Sequence, residues 1–446
     1  MLIAADWVVP VSRPPIRDGA VCVERGLIVA VGRAHDLHAL YPEHQRRDFP
    51  GCVLMPGLVN AHTHLALTAL RGVVGPMTFE EWLPRLVTAL SDWGPDDYAA
   101  SATLGAEACL EAGVTVVGDI VHGPESMAAA AGCGVGGVFY WELLGMTSDR
   151  LESALDRAEF PRIPGGACGA RARCGLSPHA TYTVGPALMA AVTTAAHDLR
   201  VPVAIHVAES TAEMQLLRDG TGPLAATAAR LAVGFEAPNS GAVTYLDRLG
   251  ALEGATAVHL CHVQPGEIAR LAATVRGAVT CPRSNRFLHN PLPPIARLLR
   301  GGIPVGVGTD SSASNDDLDL MAEVRVLHEA LPQLEPSLLI EMVTAMGAIA
   351  LGVEDRFGVL EPGMQADLAV FSLDAAADPE AALVREAGRD TVRAVLAGGT
   401  WRVLDGELIS PSPAAVAVAA GSAARSVAAL ELHDASTSPA RKRSAL

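Results

Sequence analysis

The chain has 446 residues, and 50% of them are hydrophobic, which is enough for one large domain with a smaller appendage. A net charge of −16 argues against a nucleic-acid surface. The eight cysteines form no CxxC pair, so no disulfide framework is expected. No signal-peptide pattern and no transmembrane stretch are recognisable, which predicts a cytoplasmic protein without a membrane partner.

The two ends of the chain have β-type patterns. Residues 1–54 include "GAVCVERGLIVAVG", in which apolar and polar residues alternate around a hairpin turn at "ERG". Residues 357–407 include "GVLEPGMQADLAVFSLD" and "VRAVLAGGTWRVLDGEL", which follow the same pattern. We therefore expect both ends to pair into one small composite β-sandwich.

The middle of the chain, residues 55–356, alternates short apolar strands with helical stretches. The clearest strands are "VPVAIHVAE", "TAVHLCHV" and "GIPVGVGTD", and the clearest helix is "GPALMAAVTTAAHDLR". Alternation over this length predicts an α/β fold, most simply a (β/α)8 barrel of the TIM type. Residues 408–446 are low in complexity, so we expect a mostly disordered tail with room for one Ala-rich helical stretch.

A histidine pair opens the barrel region, in "GLVNAHTHLALTALRG". His62 and His64 are two residues apart, so in a strand both would point to the same face. Two imidazoles held side by side either bind a metal or repel each other when protonated. A histidine-rich surface turn is the alternative for the pair taken alone.

Further polar residues follow later strands, where a barrel gathers its strand ends at one mouth. They are His179 in "GLSPHATYT", His206 and Glu209 in "AIHVAES", His259 and His262 in "AVHLCHV", and Asp310 in "GVGTDSSASND".

A zinc site needs imidazole nitrogens and a carboxylate oxygen, with one position left open for water. His62, His64, His206 and Asp310 supply that set. Lys442, in the tail, is the only lysine, so a carboxylated lysine that bridges two metals is absent. We expect one metal ion per chain, Zn²⁺ or Fe²⁺.

Glu209, three residues after His206, is well placed to carry a proton from a metal-activated water to a leaving group. Its structural alternative is a glutamate favoured at a helix N-terminus. His259 is expected to orient the attacking water, with a core histidine as its alternative. Asp310 is expected both to bind metal and to accept a proton.

Six segments together resemble the amidohydrolase superfamily, in its branch of amino-nucleoside and heterocycle deaminases. They are "PGLVNAHTH", "HVAES", "VHLCHV", "CPRSN", "GVGTDSSASN" and "LEPGMQADLAVF", which occur in the family's order up to about residue 407. The resemblance implies a metal-dependent barrel with a small β-sandwich. It implies metal ligands at His62, His64, His206 and Asp310, a proton shuttle at Glu209 and a water-orienting histidine at His259.

Within that branch, four residues are candidates for substrate contacts. His179 in "SPHATYT" and Trp82 in "EEWLPR" resemble segments of S-adenosylhomocysteine and methylthioadenosine deaminases. "CPRSN", with Arg283, departs from their pattern and resembles aminodeoxyfutalosine deaminases, whose substrate bears a benzoate that an arginine could pair with. A surface or ion-pair role is the alternative for Arg283. Glu142 in "FYWELLG" is expected to contact ribose or base, with a structural role as its alternative.

The sequence therefore predicts a metal-dependent hydrolytic deaminase of an aminated purine nucleoside, with 6-aminodeoxyfutalosine of the futalosine route to menaquinone as the first choice. The alternatives are deaminases of S-adenosylhomocysteine, methylthioadenosine, adenosine or guanine, and a triazine hydrolase. A non-catalytic metal-binding protein is the alternative from another class. The expected partner is a small-molecule substrate, and the sequence leaves a homodimer open.

Overall fold

The structure is a computed structural model that describes residues 1–157, 171–226, 235–373 and 377–437. Its strands are β1 Leu2–Val8, β2 Ile16–Glu24, β3 Leu27–Arg33, β4 Arg46–Pro56, β5 Leu58–Thr63, β6 Val114–Val121, β7 Gly136–Leu143, β8 Ala172–Pro178, β9 Ala204–Val207, β10 Thr256–His259, β11 Gly277–Thr280, β12 Val305–Val307, β13 Leu368–Ser372, β14 Val392–Ala397, β15 Thr400–Leu404 and β16 Glu407–Leu408.

Helices fill most of the intervals between the strands. The α-helices described are Ala34–Leu40, Phe79–Ala89, Pro95–Glu111, Pro124–Gly132, Asp149–Arg157, Pro186–Leu199, Thr211–Asp219, Ala242–Arg248, Ile268–Thr274, Pro282–Phe287, Ile295–Arg300, Leu320–Ala330, Pro336–Met342, Ala345–Leu351, Pro379–Glu386 and Pro413–Thr437, and the 3₁₀ segments are Leu65–Leu70, Pro265–Glu267 and Arg389–Thr391.

The two ends of the chain form one sheet, which we call the terminal sheet. Its eight strands run in the order β16-β15-β14-β13-β4-β1-β2-β3. The two halves meet where β4 pairs parallel with β1 and antiparallel with β13, so that Leu54 lies opposite both Val8 and Val370. The expected joining of both ends is therefore present as a single hydrogen-bonded sheet. The exact domain boundaries, and any sandwich-like layering, stay predictions.

The middle of the chain contains two parallel sheets of four strands, in the orders β5-β6-β7-β8 and β12-β11-β10-β9. Single parallel bridges link their edges, between Thr63 and Asp310 on one side and between Leu176 and Val203 on the other. Strands such as β6, with the sequence VTVVGDIV, are buried along their whole length, which explains why they are mostly apolar. The result is a barrel-like α/β arrangement in which the carboxyl ends of parallel strands face one region.

Side-chain caps fix the starts of the helices that follow the site strands. Ser210 accepts a hydrogen bond from the Glu213 amide at 3.1 Å, which begins the helix Thr211–Asp219 directly after β9. Asp319 accepts hydrogen bonds from Met321 and Ala322 at the start of the helix Leu320–Ala330. These caps set where the intervening loops end, and the loops carry the polar residues of the site.

The prediction of a mostly disordered tail over 408–446 is wrong for most of that segment, which forms a helix like the Ala-rich one that the prediction left room for. Residues Pro413–Thr437 form a helix, which by length and composition alone is apolar enough to cross a membrane. One face of this C-terminal helix instead lies against the helices Phe79–Ala89 and Pro95–Glu111. Small residues allow that close contact: the Ser426 hydroxyl donates to the Ala89 carbonyl at 2.7 Å.

Charged pairs at its far end strengthen the same contact. Arg85 donates to Asp434 at 2.7 and 3.1 Å, and Arg425 pairs with Asp97. An alanine-rich composition looks like low complexity, but alanine is also the best helix former, and packing decides between the two outcomes. Lys442 and the rest of 438–446 lie outside the described residues.

Replacing Ser426 with alanine should destabilise the protein. Ser426 is buried, and its hydroxyl also accepts a hydrogen bond from Trp93 Nε1 at 2.9 Å. The variant leaves the Trp93 N–H and the Ala89 carbonyl without this partner, so we expect the free energy of unfolding to fall by about 1–3 kcal/mol in denaturant titrations. Ser436→Ala, on the exposed end of the same helix, is the control. Equal stability of the two variants would contradict this packing role.

Candidate metal and active site

Four histidines and one aspartate converge at the carboxyl ends of the parallel strands. His62 is in β5, and His64 follows that strand; their ring centroids are 5.0 Å apart. His206 in β9 places its ring centroid 4.9 Å from that of His62. His259 ends β10, and Asp310 follows β12. The structure thus brings together the residues that the sequence predicts as metal ligands, with His259 beside them.

The donor atoms are close enough to share one ion. Those of His62, His64 and Asp310 lie within 4.8 Å of one another, and so do those of His62, His206 and His259. Asp310 Oδ1 is 3.7 Å from His62 Nε2 and 3.6 Å from His64 Nε2. His62 Nε2 is buried and has no hydrogen-bond partner, which is the state expected of a ligand atom that faces a metal position.

Burial keeps the imidazoles in the form that binds cations. It lowers the pKa of His64 well below its ordinary value and lowers the pKa of both His206 and His259 to about 4. Burial alone would raise the pKa of Asp310, but the adjacent imidazoles of His62, His64 and His259 hold it well below its ordinary value. Neutral rings around a carboxylate form the donor set that zinc prefers.

Hydrogen bonds from behind orient these ligands. His206 Nδ1 lies 2.8 Å from the His179 carbonyl, which leaves Nε2 for the metal. Asp310 Oδ2 accepts hydrogen bonds from the hydroxyls of Ser284 and Ser314 at 2.6 and 3.0 Å. Its other oxygen, Oδ1, is the one near His62 and His64.

The backbone at two of these positions is left-handed. His259 has φ of 73° and Asp310 has φ of 57°. Residues with a Cβ rarely adopt this conformation, and such strain clusters at functional sites when the surroundings enforce it. The hydrogen bond from the Thr63 hydroxyl to the Asp310 carbonyl at 3.0 Å is one such constraint.

Glu209 lies beside the ligands and is buried. Its Oε1 is 3.7 Å from His259 Nε2. Burial, helped by the carboxylates of Asp310 and Glu213, raises the pKa of Glu209 well above its ordinary value. Glu213 also fixes the Glu209 backbone, because its Oε2 accepts the Glu209 amide at 2.7 Å. A buried carboxyl beside the metal ligands, with its affinity for protons raised in this way, is suited to moving protons.

His259 is held from its far side by a residue that the sequence did not point to. Its Nδ1 lies 3.3 Å from Asn285 Oδ1, so Nε2 is directed toward Glu209. Ser284 and Asn285 lie in "CPRSN", directly after β11, and Ser314 lies in "GVGTDSSASN". Both segments are part of the family resemblance, but their pattern assigned these residues no role.

A cavity of about 480 Å³ opens onto the site. Three of the four predicted substrate contacts line it: Trp82, Glu142 and His179. The indole of Trp82 is fixed by a hydrogen bond to the Ala313 carbonyl at 3.0 Å. His179 Nδ1 lies 2.7 Å from the Thr183 hydroxyl.

The structure does not bring Arg283 to the cavity. Its guanidinium donates to Asp317 at 2.6 Å, lies 3.4 Å from Asp316 and is 3.9 Å from the buried Glu323. These carboxylates neutralise the arginine within the loop and helix after Asp310. A role in binding a substrate carboxylate therefore has no support from its position.

Three residues that the sequence analysis missed line the cavity in addition. Tyr98 and His122 have ring centroids 5.2 Å apart, and His122 Nδ1 is 3.4 Å from Glu142 Oε2. His122 follows β6 directly, so a search for polar residues at the ends of strands would have found it. Arg150, at the start of the helix Asp149–Arg157, carries no such signal.

The match to a known protein family covers most of the chain. Residues 53–402 match the model of the amidohydrolase family. The chain belongs to the amidohydrolase family. It is a hydrolytic C–N deaminase, and zinc is the metal that its cluster of histidines and Asp310 fits.

Curated relatives cover most of this chain. A 5-methylthioadenosine/S-adenosylhomocysteine deaminase of Desulforudis audaxviator is 31% identical over 90% of this chain and 92% of its own. An aminodeoxyfutalosine deaminase of Deinococcus radiodurans is 33% identical over 76% of this chain and 82% of its own. Among solved structures, an adenosine deaminase of Xanthomonas campestris with bound zinc is 29% identical, with a TM-score of 0.79 over 95% of this chain and 98% of its own.

Replacing His206 with alanine should remove about one zinc ion per chain. The variant deletes an imidazole whose ring is already oriented by the His179 carbonyl, so the ion loses one of its four expected ligands. Metal content measured by inductively coupled plasma mass spectrometry checks this. The exposed His35→Ala is the matched control, and unchanged metal content in His206→Ala would remove His206 from the ligand set.

Replacing Glu209 with glutamine should reduce kcat by about 10²- to 10⁴-fold, because the amide keeps the shape of the side chain but cannot accept and return a proton. Zinc content should stay that of the unmodified enzyme. Steady-state kinetics of ammonia release, with the exposed Glu253→Gln as the control, measure the effect. Full activity of Glu209→Gln would exclude it as the proton shuttle.

Proposed function

We propose that this protein hydrolyses the exocyclic amino group of an adenine nucleoside, with 6-aminodeoxyfutalosine as its preferred substrate. The observation that carries the reaction class is the buried Glu209 carboxyl next to the metal ligands, at the inner end of a cavity that can admit a nucleoside. We also take the two parallel four-stranded sheets as the halves of a (β/α)8 barrel, since single bridges join both pairs of edges.

A divalent metal held by His62, His64, His206 and Asp310 would lower the pKa of a bound water toward neutrality. Glu209 takes a proton from the attacking water and delivers it to the ring nitrogen beside the amino-bearing carbon. His259, held by Asn285, and Asp310 orient that water. The hydroxyl proton on the tetrahedral carbon then passes to the amino nitrogen, the C–N bond breaks as the carbonyl forms, and ammonia leaves.

The substrate preference rests on the contrast between two parts of the cavity. The helix Phe79–Ala89 and the residue that follows it form an apolar wall of the cavity. The residues of this wall include Phe79, Leu83, Leu86 and Leu90. Arg150 is the arginine that lines the same cavity. A nucleoside substituent with an apolar ring could pack on the apolar wall, and its terminal carboxylate could pair with Arg150. The benzoate of aminodeoxyfutalosine has that form.

Glu142 and His122 are proposed to bind the sugar or base edge, because together they offer an acceptor and a donor on one side of the cavity. Methylthioadenosine and S-adenosylhomocysteine form the second candidate, favoured by the same apolar wall and by the name of the Desulforudis relative.

Ammonia release by the zinc-loaded protein should be fastest with 6-aminodeoxyfutalosine in a panel with S-adenosylhomocysteine, methylthioadenosine, adenosine and guanine. In Arg150→Gln, kcat/KM should fall by about 10- to 100-fold for the two carboxylate-bearing substrates, because a charge-assisted hydrogen bond is lost. Methylthioadenosine and adenosine should be unaffected. Arg218→Gln, an exposed arginine that pairs with Asp219, is the control.

A preference for methylthioadenosine or S-adenosylhomocysteine would keep the reaction and replace the substrate. An equal loss for all substrates in Arg150→Gln would assign that arginine a structural role. If no nucleoside in the panel released ammonia, the proposed function would be overturned.

A further inference from the structure

A second group of metal-ligating side chains lies in the terminal sheet, away from the strands that carry the active site. Cys22 and Glu24 are two residues apart near the end of β2, where the pairing with β3 shifts register after Cys22. His44 lies between the helix Ala34–Leu40 and β4. The donor atoms of all three lie within 4.8 Å of one another.

The spacing of these atoms is close to that of a metal site. Zinc takes bonds of about 2.3 Å to thiolate sulfur and about 2.0–2.2 Å to imidazole nitrogen and carboxylate oxygen. In a tetrahedral site, two such ligand atoms are therefore about 3.3–3.7 Å apart. Glu24 Oε1 and His44 Nε2 already face each other at 2.9 Å. Small side-chain rotations, without a change in the backbone, would bring the three donors around one ion.

The surroundings hold two of these ligands in place. Cys22 is fully buried in a small apolar cluster with Leu2, Ala4, Ala20 and Leu37. His44 packs edge-on against the ring of Tyr41, with centroids 5.2 Å apart, and its amide donates to the Tyr41 carbonyl at 3.1 Å. A preorganised thiol and imidazole reduce the entropy lost when an ion binds.

The charges near the group also suit a dication. A thiolate from Cys22 and the carboxylate of Glu24 would together neutralise the two charges of the metal. In the metal-free site, burial raises the pKa of the Cys22 thiol and Glu24 adds to this effect, while the N-terminal ammonium of Met1, which donates to the Val23 carbonyl at 2.8 Å, opposes it. The more exposed Glu24 leaves room for a water as fourth ligand.

We propose that Cys22, Glu24 and His44 form a second metal site, of the thiolate, carboxylate and imidazole type that binds zinc, with a structural role in the terminal sheet. The ion would tie the segment before β4 to β2. β4 is the strand that joins the two halves of the sheet, so the site stabilises the place where the chain ends meet. This proposal is independent of the proposed function, because no residue is shared between the two sites.

Cobalt(II) distinguishes the two sites, because thiolate ligands give an intense charge-transfer band in the near ultraviolet. Among the described residues, the metal-ligand groups at the active site contain no cysteine. The full-length protein, stripped of metal and titrated with Co²⁺, should show this band. The band should disappear in Cys22→Ser and persist in Cys52→Ser, a buried cysteine of the same sheet, and in His206→Ala.

Zinc reconstitution should give about two ions per chain for the unmodified protein and about one for Cys22→Ser, with deaminase activity unchanged in that variant. His44→Ala provides a second test, since it leaves the apolar cluster around Cys22 intact; it should also bind about one zinc ion. Absence of the band at saturating Co²⁺, or about one zinc ion in the unmodified protein, would overturn the proposal.

Discussion

The approach of His62 to Asp310 is the contact on which the rest of the site depends. It joins the first strand of one parallel sheet to the last strand of the other, at the seam where Thr63 and Asp310 form a single bridge. The Asp310 amide donates to the His62 carbonyl at 3.1 Å, so the backbone alone sets this pair in register. Once the pair is fixed, the strands between them bring the other ligands to the same end of the fold.

Two carboxylates at this point have opposite electrostatic surroundings. Histidines face Asp310 and hold its pKa low against the opposing effect of burial, while burial and neighbouring carboxylates raise the pKa of Glu209. Such a split supports the proposed roles, in which Asp310 binds the metal and Glu209 carries a proton. Both carboxylates lie at the ends of parallel strands, so the difference between their pKa values comes from the groups that face each side chain.

The sequence predicts the inner part of the site well, because each ligand directly follows an apolar run whose end must lie at the mouth of a parallel fold. The same rule would have found His122. It fails for Arg150 and Arg283, because the direction of a long side chain on a loop or short helix depends on which charges lie nearby. For Arg283, the two aspartates that capture it are more than thirty residues away along the chain.

The pairing of β4 with β13 has a consequence for folding of the protein during its synthesis on the ribosome. Leu54 and its hydrogen-bonded neighbours must wait until Val370 and the rest of β13 have been synthesised, some three hundred residues later. Strands β1 to β4 can pair with one another early, but β4 also pairs with β13, and pairing across such a separation is slow. The terminal sheet can therefore be completed only after all the strands between β4 and β13 have been translated.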